Sequence, residues 1–180
     1  YCDENGDGVL DEKDYIYLGS DTPEISYSFN FGADYKGFDI NVVFQGAANR
    51  FVYRPIDNWT VPFRSNYTNT STASLGNTWS QNNRDAYYAP YTNESNINNY
   101  NYQASSFWQK NGNFLKLRSL EIGYTLPFQL SRKINLEKVR IFANGTNLFS
   151  LDHMDGFTDP ETMSGYPALR IISFGLSIQL

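Results

Sequence analysis

Side chains that carry oxygen recur near the start of the chain at the spacing of a calcium-binding loop. Gly8 stands where such a loop turns sharply, and Asp14 takes the last ligand position, at which a glutamate is usual. The expected ligands are Asp3, Asn5, Asp7, Val9 (through its carbonyl), Asp11 and Asp14. The same residues also fit an acidic turn held by side-chain to backbone hydrogen bonds without a metal. Bound Ca²⁺ is therefore one expectation, and no cofactor is required.

Aromatic side chains in the polar middle of the chain are candidates for contact with a bound molecule. Tyrosine and tryptophan combine an apolar ring with a polar tip, which suits stacking on a sugar or gripping another protein. The candidates are Trp59, Trp79, Tyr87, Tyr88 and Tyr91. The alternative role for each of them is to pack this segment against itself.

Groups suited to catalysis are sparse. Cys2 is the single cysteine and His153 the single histidine, which leaves little for a catalytic triad or a zinc site. Asp155, Asp159 and Glu161 form carboxylate pairs of the kind a glycosidase uses, but they lie in one short polar segment with no apolar frame to raise a pKa. We expect a protein that is not an enzyme.

Alternation of apolar and polar residues predicts the elements that must position these groups. Period two runs over residues 25–35 and resumes at residue 38 after Lys36-Gly37, which predicts a β-hairpin. Further alternation covers residues 119–126, 138–148 and 172–180. Within 138–148 the pattern is broken by Phe142, which falls among the polar positions. The sequence therefore does not assign the Phe142 side chain to a face of the sheet. The fold class expected is all-β with antiparallel strands.

The bulk composition agrees with strands that have one apolar and one polar face. Aromatic residues reach 17% and charged residues only 18%. The net charge of −5, with no run of lysine or arginine, argues against a nucleic-acid partner. No apolar run approaches the roughly 20 residues of a membrane helix, whereas strands of about 9–11 residues cross a bilayer in a β-barrel.

Barrels of the outer membrane have short periplasmic turns and long outer loops, and the connections here alternate in that way. With the chain end placed in the periplasm, each segment receives a side. The segments are 1–24, an extracellular loop with the Asp-rich motif; 25–47, a β-hairpin; 48–112, a long extracellular loop; 113–148, strand-turn-strand; 149–167, an extracellular loop; and 168–180, the terminal strand.

Several short motifs, in order along the whole chain, resemble the late barrel of SusC/RagA-type TonB-dependent outer-membrane transporters. They are the Asp-rich segment 3–14, the hairpin around Tyr35-Lys36-Gly37-Phe38-Asp39, Asn113 to Leu120, Gly123-Tyr124-Thr125-Leu126-Pro127, Asn144 to Phe149, Asp159-Pro160-Glu161, Tyr166-Pro167 and Arg170. The resemblance implies the C-terminal portion of a plugged barrel of about 22 strands, with the plug and the TonB-contacting part upstream. It thereby implies location in the bacterial outer membrane.

The resemblance also implies partners and cargo. A SusD-like surface lipoprotein is the expected lid, the TonB complex acts through the missing N-terminal part, and the cargo is a nutrient, an oligosaccharide first and a peptide second. Outer-membrane lipid is expected against the terminal strand, through Phe174, Leu176, Ile178 and Leu180. Leu180 departs from the aromatic residue with which such chains often end. The competing function is a secreted all-β module that binds carbohydrate with calcium.

Overall fold

The structure, a computed structural model of the 180-residue chain, describes residues 1–53, 72–92, 100–154, 156, 158–163 and 166–180. The strands in chain order are β1 (Ile25–Tyr35), β2 (Phe38–Ala48), β3 (Phe51–Tyr53), β4 (Gln109–Asn111), β5 (Phe114–Thr125), β6 (Lys138–Asp152) and β7 (Ile171–Gln179). One short helix, α1 (Phe128–Ser131), and four 3₁₀ turns, Glu12–Asp14, Thr72–Ser74, Ser106–Trp108 and Arg132–Ile134, complete the described elements. No helix among these residues has the length and apolar character needed to span a membrane.

Two compact units divide the chain. The first comprises residues 1–20 with 51–110, and the second comprises residues 21–50 with 111–180. The second unit is built on a five-stranded antiparallel sheet in the order β1-β2-β5-β6-β7. The all-β, antiparallel fold class predicted from alternation is therefore confirmed, whereas closure into a barrel of about 22 strands stays a prediction.

The short and long connections of this sheet lie at opposite ends. Lys36-Gly37 and the β5–β6 connection lie at one end, which we call the turn end. The long connections 49–113 and 153–170 leave from the other, which we call the loop end. Both residues of the β1–β2 turn have positive φ, and a Cβ on Gly37 would lie 2.7 Å from the carbonyl oxygen of Thr125. Glycine is therefore required at that position.

The register places almost all large apolar side chains on one face of the sheet. Residues directly opposite one another on neighbouring strands share a face, and successive pairings align apolar with apolar. The apolar face carries, among others, Phe29 and Phe31 of β1; Val42 and Phe44 of β2; Leu120 and Ile122 of β5; Ile141 and Phe149 of β6; and Phe174, Leu176 and Ile178 of β7. The opposite face carries serine, asparagine, glutamine and the charged residues of the strands.

Two neighbouring strands are longer than the alternation in the sequence predicts. β5 begins at Phe114 instead of near Ser119, and β6 ends at Asp152 instead of near Leu148. The reason is a β-bulge, in which Arg118 lies opposite the β6 segment between Thr146 and Phe149 and the pairing shifts. A bulge changes the phase of alternation, so a strict period-two pattern stops there although the strand continues. Residues 149–152, assigned to an outer loop from the sequence, belong to β6.

The first unit contains more regular structure than the irregular segment 48–112 predicted. β3 and β4 pair in a two-stranded sheet, and a core of Tyr88, Tyr102 and Trp108 is buried among the described residues. These strands have three residues each, too few for alternation to reveal them.

Candidate functional site

The apolar face of the five-stranded sheet is an extended exposed surface of the second unit. Phe174 is 82% exposed, and Phe29, Phe31 and Ile178 on the same face are also exposed. The five strands have lengths of 11, 11, 12, 15 and 9 residues. Strands of about 9–11 residues are long enough to cross a bilayer when tilted. A contiguous surface of this size and character requires a cover of lipid or of apolar protein.

Of the terminal residues predicted to face lipid, Phe174, Leu176 and Ile178 lie together on this face. Leu180 follows the last residue of β7 and is exposed. The structure thus groups the three strand residues with the apolar side chains of β6 that pair with them, which are Ala143, Ile141 and Val139.

At the loop end of the polar face, charged side chains form a group that we call the loop-side ion cluster: Lys116, Arg118, Asp159 and Glu161. Lys116 of β5 is only 3% exposed, and its Nζ lies 2.6 Å from Oδ1 of Asp159 and 2.8 Å from Oε2 of Glu161. Arg118, in the bulge, also pairs with Glu161 and donates to Oδ1 of Asn147 at 3.0 Å. The cluster therefore fastens the β6–β7 loop to the strands.

The two carboxylates of this cluster are held in the charged form. For Asp159, burial acts to raise the pKa, but hydrogen bonds from Lys116 and from the backbone N–H of Glu161 outweigh it, and the pKa is lowered. For Glu161, burial again opposes hydrogen bonds from Lys116 and Arg118, and the pKa is also lowered. A glycosidase acid needs a raised pKa. This environment gives the pair a structural role.

A second group, the turn-side ion cluster, comprises Asp39, Glu121 and Arg140. The guanidinium of Arg140 on β6 donates to both carboxylate oxygens of Asp39 on β2, with Nε at 2.9 Å from Oδ2. It also lies 2.7 Å from Oε1 of Glu121 on β5. One cation thus links three strands across the polar face.

Phe142, unassigned from the sequence, lies on the polar face opposite Gly123 of β5 and Gly175 of β7. A Cβ on Gly175 would overlap the Phe142 ring, and the ring has the Arg140 guanidinium 4.9 Å from its centroid. The aromatic ring therefore fills the space left by the missing side chain of glycine. It also packs beside Arg140 of the turn-side ion cluster.

The Asp-rich loop of the first unit is organised by its own side chains. Asp3 accepts hydrogen bonds from the backbone N–H groups of Gly6 and Gly8, both at 2.7 Å. Asp14 accepts from the N–H of Asp11 at 2.8 Å and of Glu4 at 2.9 Å, and these bonds, that of Asp11 first, lower its pKa. In the described part of the chain, no group of three or more histidine, cysteine, aspartate or glutamate residues is arranged to hold a metal ion.

The remaining members of the predicted calcium loop make the same kind of bond. Asn5 accepts from the N–H of Asp7, Asp7 from that of Val9, and Asp11 from that of Lys13. These contacts match the hydrogen-bonded turn that was the alternative to a metal site. Calcium binding stays a prediction.

The aromatic candidates for contact with a bound molecule differ in how far they are exposed. Tyr88 is 4% exposed and packs in the core of the first unit, while Trp79, Tyr87 and Tyr91 are exposed. The Tyr87 ring stacks on Phe107, with 4.8 Å between the ring centroids. Trp59 lies outside the described residues. Three of the five candidates thus present a surface for contact.

Sequence reasoning missed both ion clusters. Lys116, Arg118, Glu121 and Arg140 lie within strands, and the alternation pattern does not indicate a partner for their charge. A detectable signal was the presence of long cationic side chains inside strands with few charges, because such cations are seldom left unpaired inside a barrel-like sheet.

No family model matches the chain. Two curated relatives align with almost all of it: TonB-dependent receptor P3 of Formosa agariphila, 27% identical over 197 residues, and TonB-dependent receptor P26 of the same species, 23% identical over 197 residues. Each alignment covers 99% of this chain, but the chain spans only 18% and 19% of the length of these relatives. The resemblance to TonB-dependent receptors that the motifs predicted is confirmed.

Solved structures of the RagAB peptide importer are similar in fold. The open-open state matches with a TM-score of 0.68 at 24% identity, and the closed-closed state with a TM-score of 0.69 at 23% identity. Each match covers 90% of this chain and 18% of the solved chain.

Proposed function

We propose that this chain is a segment of a SusC/RagA-type TonB-dependent transporter that takes up a nutrient across the bacterial outer membrane. One observation carries the proposal: the five-stranded sheet has an exposed apolar face and, on its other side, a polar face crossed by ion pairs. In a barrel the apolar face contacts lipid and the polar face lines the lumen. The alignment with TonB-dependent receptors over 99% of the chain supports this assignment.

The sheet contributes five strands to a barrel of about 22, and its turn end points to the periplasm. The lumen then holds both ion clusters. The loop-side ion cluster lies near the outer rim and fixes the β6–β7 loop there. Because the pairs satisfy one another, the polar face stays rigid as cargo passes.

A SusD-like surface lipoprotein and the TonB complex are the proposed partners, the latter through a part of the protein upstream of these residues. The fold similarity to the RagAB peptide importer agrees with this proposal. Exposed aromatics of the first unit, Trp79, Tyr87 and Tyr91, are the proposed contacts with lid or cargo.

The cargo is proposed to be an oligosaccharide or a peptide. Stacking aromatics favour a sugar, while the solved proteins of similar fold are peptide importers. Deleting the gene in the source bacterium and comparing growth on glycans and on protein hydrolysate as sole carbon source decides between them. A growth defect restored by the intact gene identifies the cargo class.

The transporter assignment itself is tested by fractionating source cells and probing with an antibody raised against residues 48–112. The expected band is in the outer-membrane fraction and corresponds to a protein several times longer than 180 residues. It migrates differently in unheated and heated samples. A soluble band of about this length would overturn the proposal in favour of the secreted calcium-dependent carbohydrate-binding module, which the comparisons do not favour.

A further inference from the structure

The β5–β6 connector, residues 126–137, carries an exposed apolar patch. Phe128 is 62% exposed, and Leu130 and Ile134 are exposed as well. Three large apolar side chains on a connection of this length are unusual, because turns at the surface of a protein are ordinarily polar. The patch therefore calls for a specific apolar neighbour.

The connector has a defined conformation that is fixed by internal hydrogen bonds. Ser131 is fully buried, and its single hydroxyl proton is shared between the carbonyl oxygens of Phe128, at 3.1 Å, and of Glu137, at 3.3 Å. The N–H of Leu136 donates to the carbonyl of Ser131 at 3.1 Å. Helix α1 and the following 3₁₀ turn are closed around this serine, which holds the apolar patch in a defined shape.

The connector continues the apolar face of the sheet at its turn end. The N–H of Leu126 donates to the carbonyl of Val139 at 2.9 Å. Val139 and Ile141 both belong to the apolar face, yet Val139 is 6% exposed and Ile141 is 54% exposed. Helix α1 is in contact with β6, the strand that carries Val139. The patch thus begins where the apolar face of the strands ends.

Two cationic side chains lie on the same connector as the apolar patch. Arg132 and Lys133 are exposed, and neither makes an ion pair within the described residues. A shallow cleft of about 430 Å³ lies beside Arg132 and is lined also by Phe128, Asn135, Leu136 and the acidic Glu137. Apolar side chains next to unpaired cations are the combination that binds the boundary between acyl chains and anionic headgroups.

We propose that this connector is a lipid-anchoring site, in which Phe128, Leu130 and Ile134 enter the acyl boundary of the membrane while Arg132 and Lys133 bind the phosphate of an anionic phospholipid. The inference rests on the transporter assignment, since it needs the apolar face of the sheet to contact lipid. Continuity with that face selects lipid over a protein as the occupant.

The test uses the full-length transporter, purified in a neutral detergent, with dioleoyl phosphatidylglycerol or dioleoyl phosphatidylcholine added. We expect the midpoint of thermal unfolding to rise more with the anionic lipid, and native mass spectrometry to detect retained phosphatidylglycerol. The double variant Arg132→Gln/Lys133→Gln should lose most of that extra rise and retain less lipid. Arg132→Lys, which keeps the charge, should behave as the wild type.

A matched control is Lys13→Gln/Arg84→Gln, which removes two exposed cations from the first unit. The control should keep the full response to phosphatidylglycerol. An equal response in both double variants, or binding of phosphatidylglycerol and phosphatidylcholine to the same extent, overturns the inference.

Fractionation of source cells separates loss of the lipid site from loss of the transporter assignment. A protein that shifts on heating and lies in the outer membrane, yet shows no preference for anionic lipid, retains the transporter assignment and loses only the lipid site. If the protein is absent from the outer membrane, both the transporter assignment and the lipid site are wrong.

Discussion

The ammonium of Lys116 lies 2.6 Å from Asp159, although the two residues are 43 positions apart and on different elements. The same ammonium reaches Glu161, so that a single buried cation of β5 holds both acids of the Asp-Pro-Glu segment. Ion pairs that are removed from water become costly when one partner is lost, because the remaining charges stay buried without compensation. The stability of the β6–β7 loop therefore depends on this one side chain.

Lys116→Met is expected to release the β6–β7 loop. Breaking a buried pair by removing one partner costs about 3–5 kcal/mol, and detachment of the loop limits the loss to the lower part of that range. Hydrogen exchange of the Glu161 and Met163 amides, both bonded to Asp159, measures the change in the full-length protein. Lys13→Met removes two exposed ion pairs, with Asp7 and Asp11, and should leave these amides unchanged. Unchanged protection in Lys116→Met would contradict the anchoring role.

The attachment of this loop is expected to depend on pH in the acidic range. Asp159 and Glu161 have pKa values below their ordinary 3.8 and 4.5. A lowered pKa in the folded state contributes stability that is full above the ordinary pKa and is lost as the pH falls through the lowered value. Loop protection should be constant at neutral pH and should decline below about pH 4. Limited proteolysis within residues 153–170, with an acid-active protease, follows it. A decline centred near neutral pH would be inconsistent with this mechanism.

Gly175→Ala is expected to destabilise the sheet, because the new Cβ would overlap the ring of Phe142. Overpacking of this kind costs about 1–3 kcal/mol. Gly32→Ala is the matched control, since the nearest atom to a Cβ at Gly32 lies 3.8 Å away. The measurement is the midpoint of denaturant unfolding of the full-length protein. Combining Gly175→Ala with Phe142→Leu should recover part of the loss, and equal effects of the two glycine variants would refute the packing argument.

Phe174→Arg tests the lipid-facing assignment of the apolar face. An arginine on the lipid face costs about 2–4 kcal/mol near the bilayer midplane and less toward its edges. Ser173→Arg places the same side chain on the polar face of the same strand and should be tolerated better. The fraction of protein that resists unfolding in unheated gel samples gives the comparison. If Ser173→Arg proved the more damaging of the two, the assignment of the faces would be reversed.

Calcium binding by the Asp-rich loop is open to direct measurement. If the loop binds Ca²⁺, adding it to the chelator-treated full-length protein should raise the thermal midpoint, and Asp3→Asn should abolish the rise by removing charge from the first ligand position. Asp85→Asn, an exposed acid of the same unit, is the control. No difference between Ca²⁺ and chelator would leave the hydrogen-bonded turn as the full account of this motif.

Much of the sheet was predictable from the sequence because alternation is a local property. Each residue of a strand points to the face opposite its neighbours, so the pattern in β1, β2 and β7 is enough to separate an apolar from a polar face. The short motifs were sufficient to identify the resemblance to TonB-dependent receptors. For the same local reason, the three-residue strands β3 and β4 could not be found.

Other features depend on which residues meet across strands, and only the tertiary structure decided them. The bulge at Arg118 is set by the register of β5 with both of its neighbours, β2 and β6, and it shifts the alternation of β5. Phe142 faces the polar side because glycines of the two adjoining strands leave room for its ring. Lys116 is a buried anchor because a loop 43 residues later returns to it. Periodicity specifies the direction of each side chain, but the partner of a charge depends on a register and a loop path that no local pattern contains.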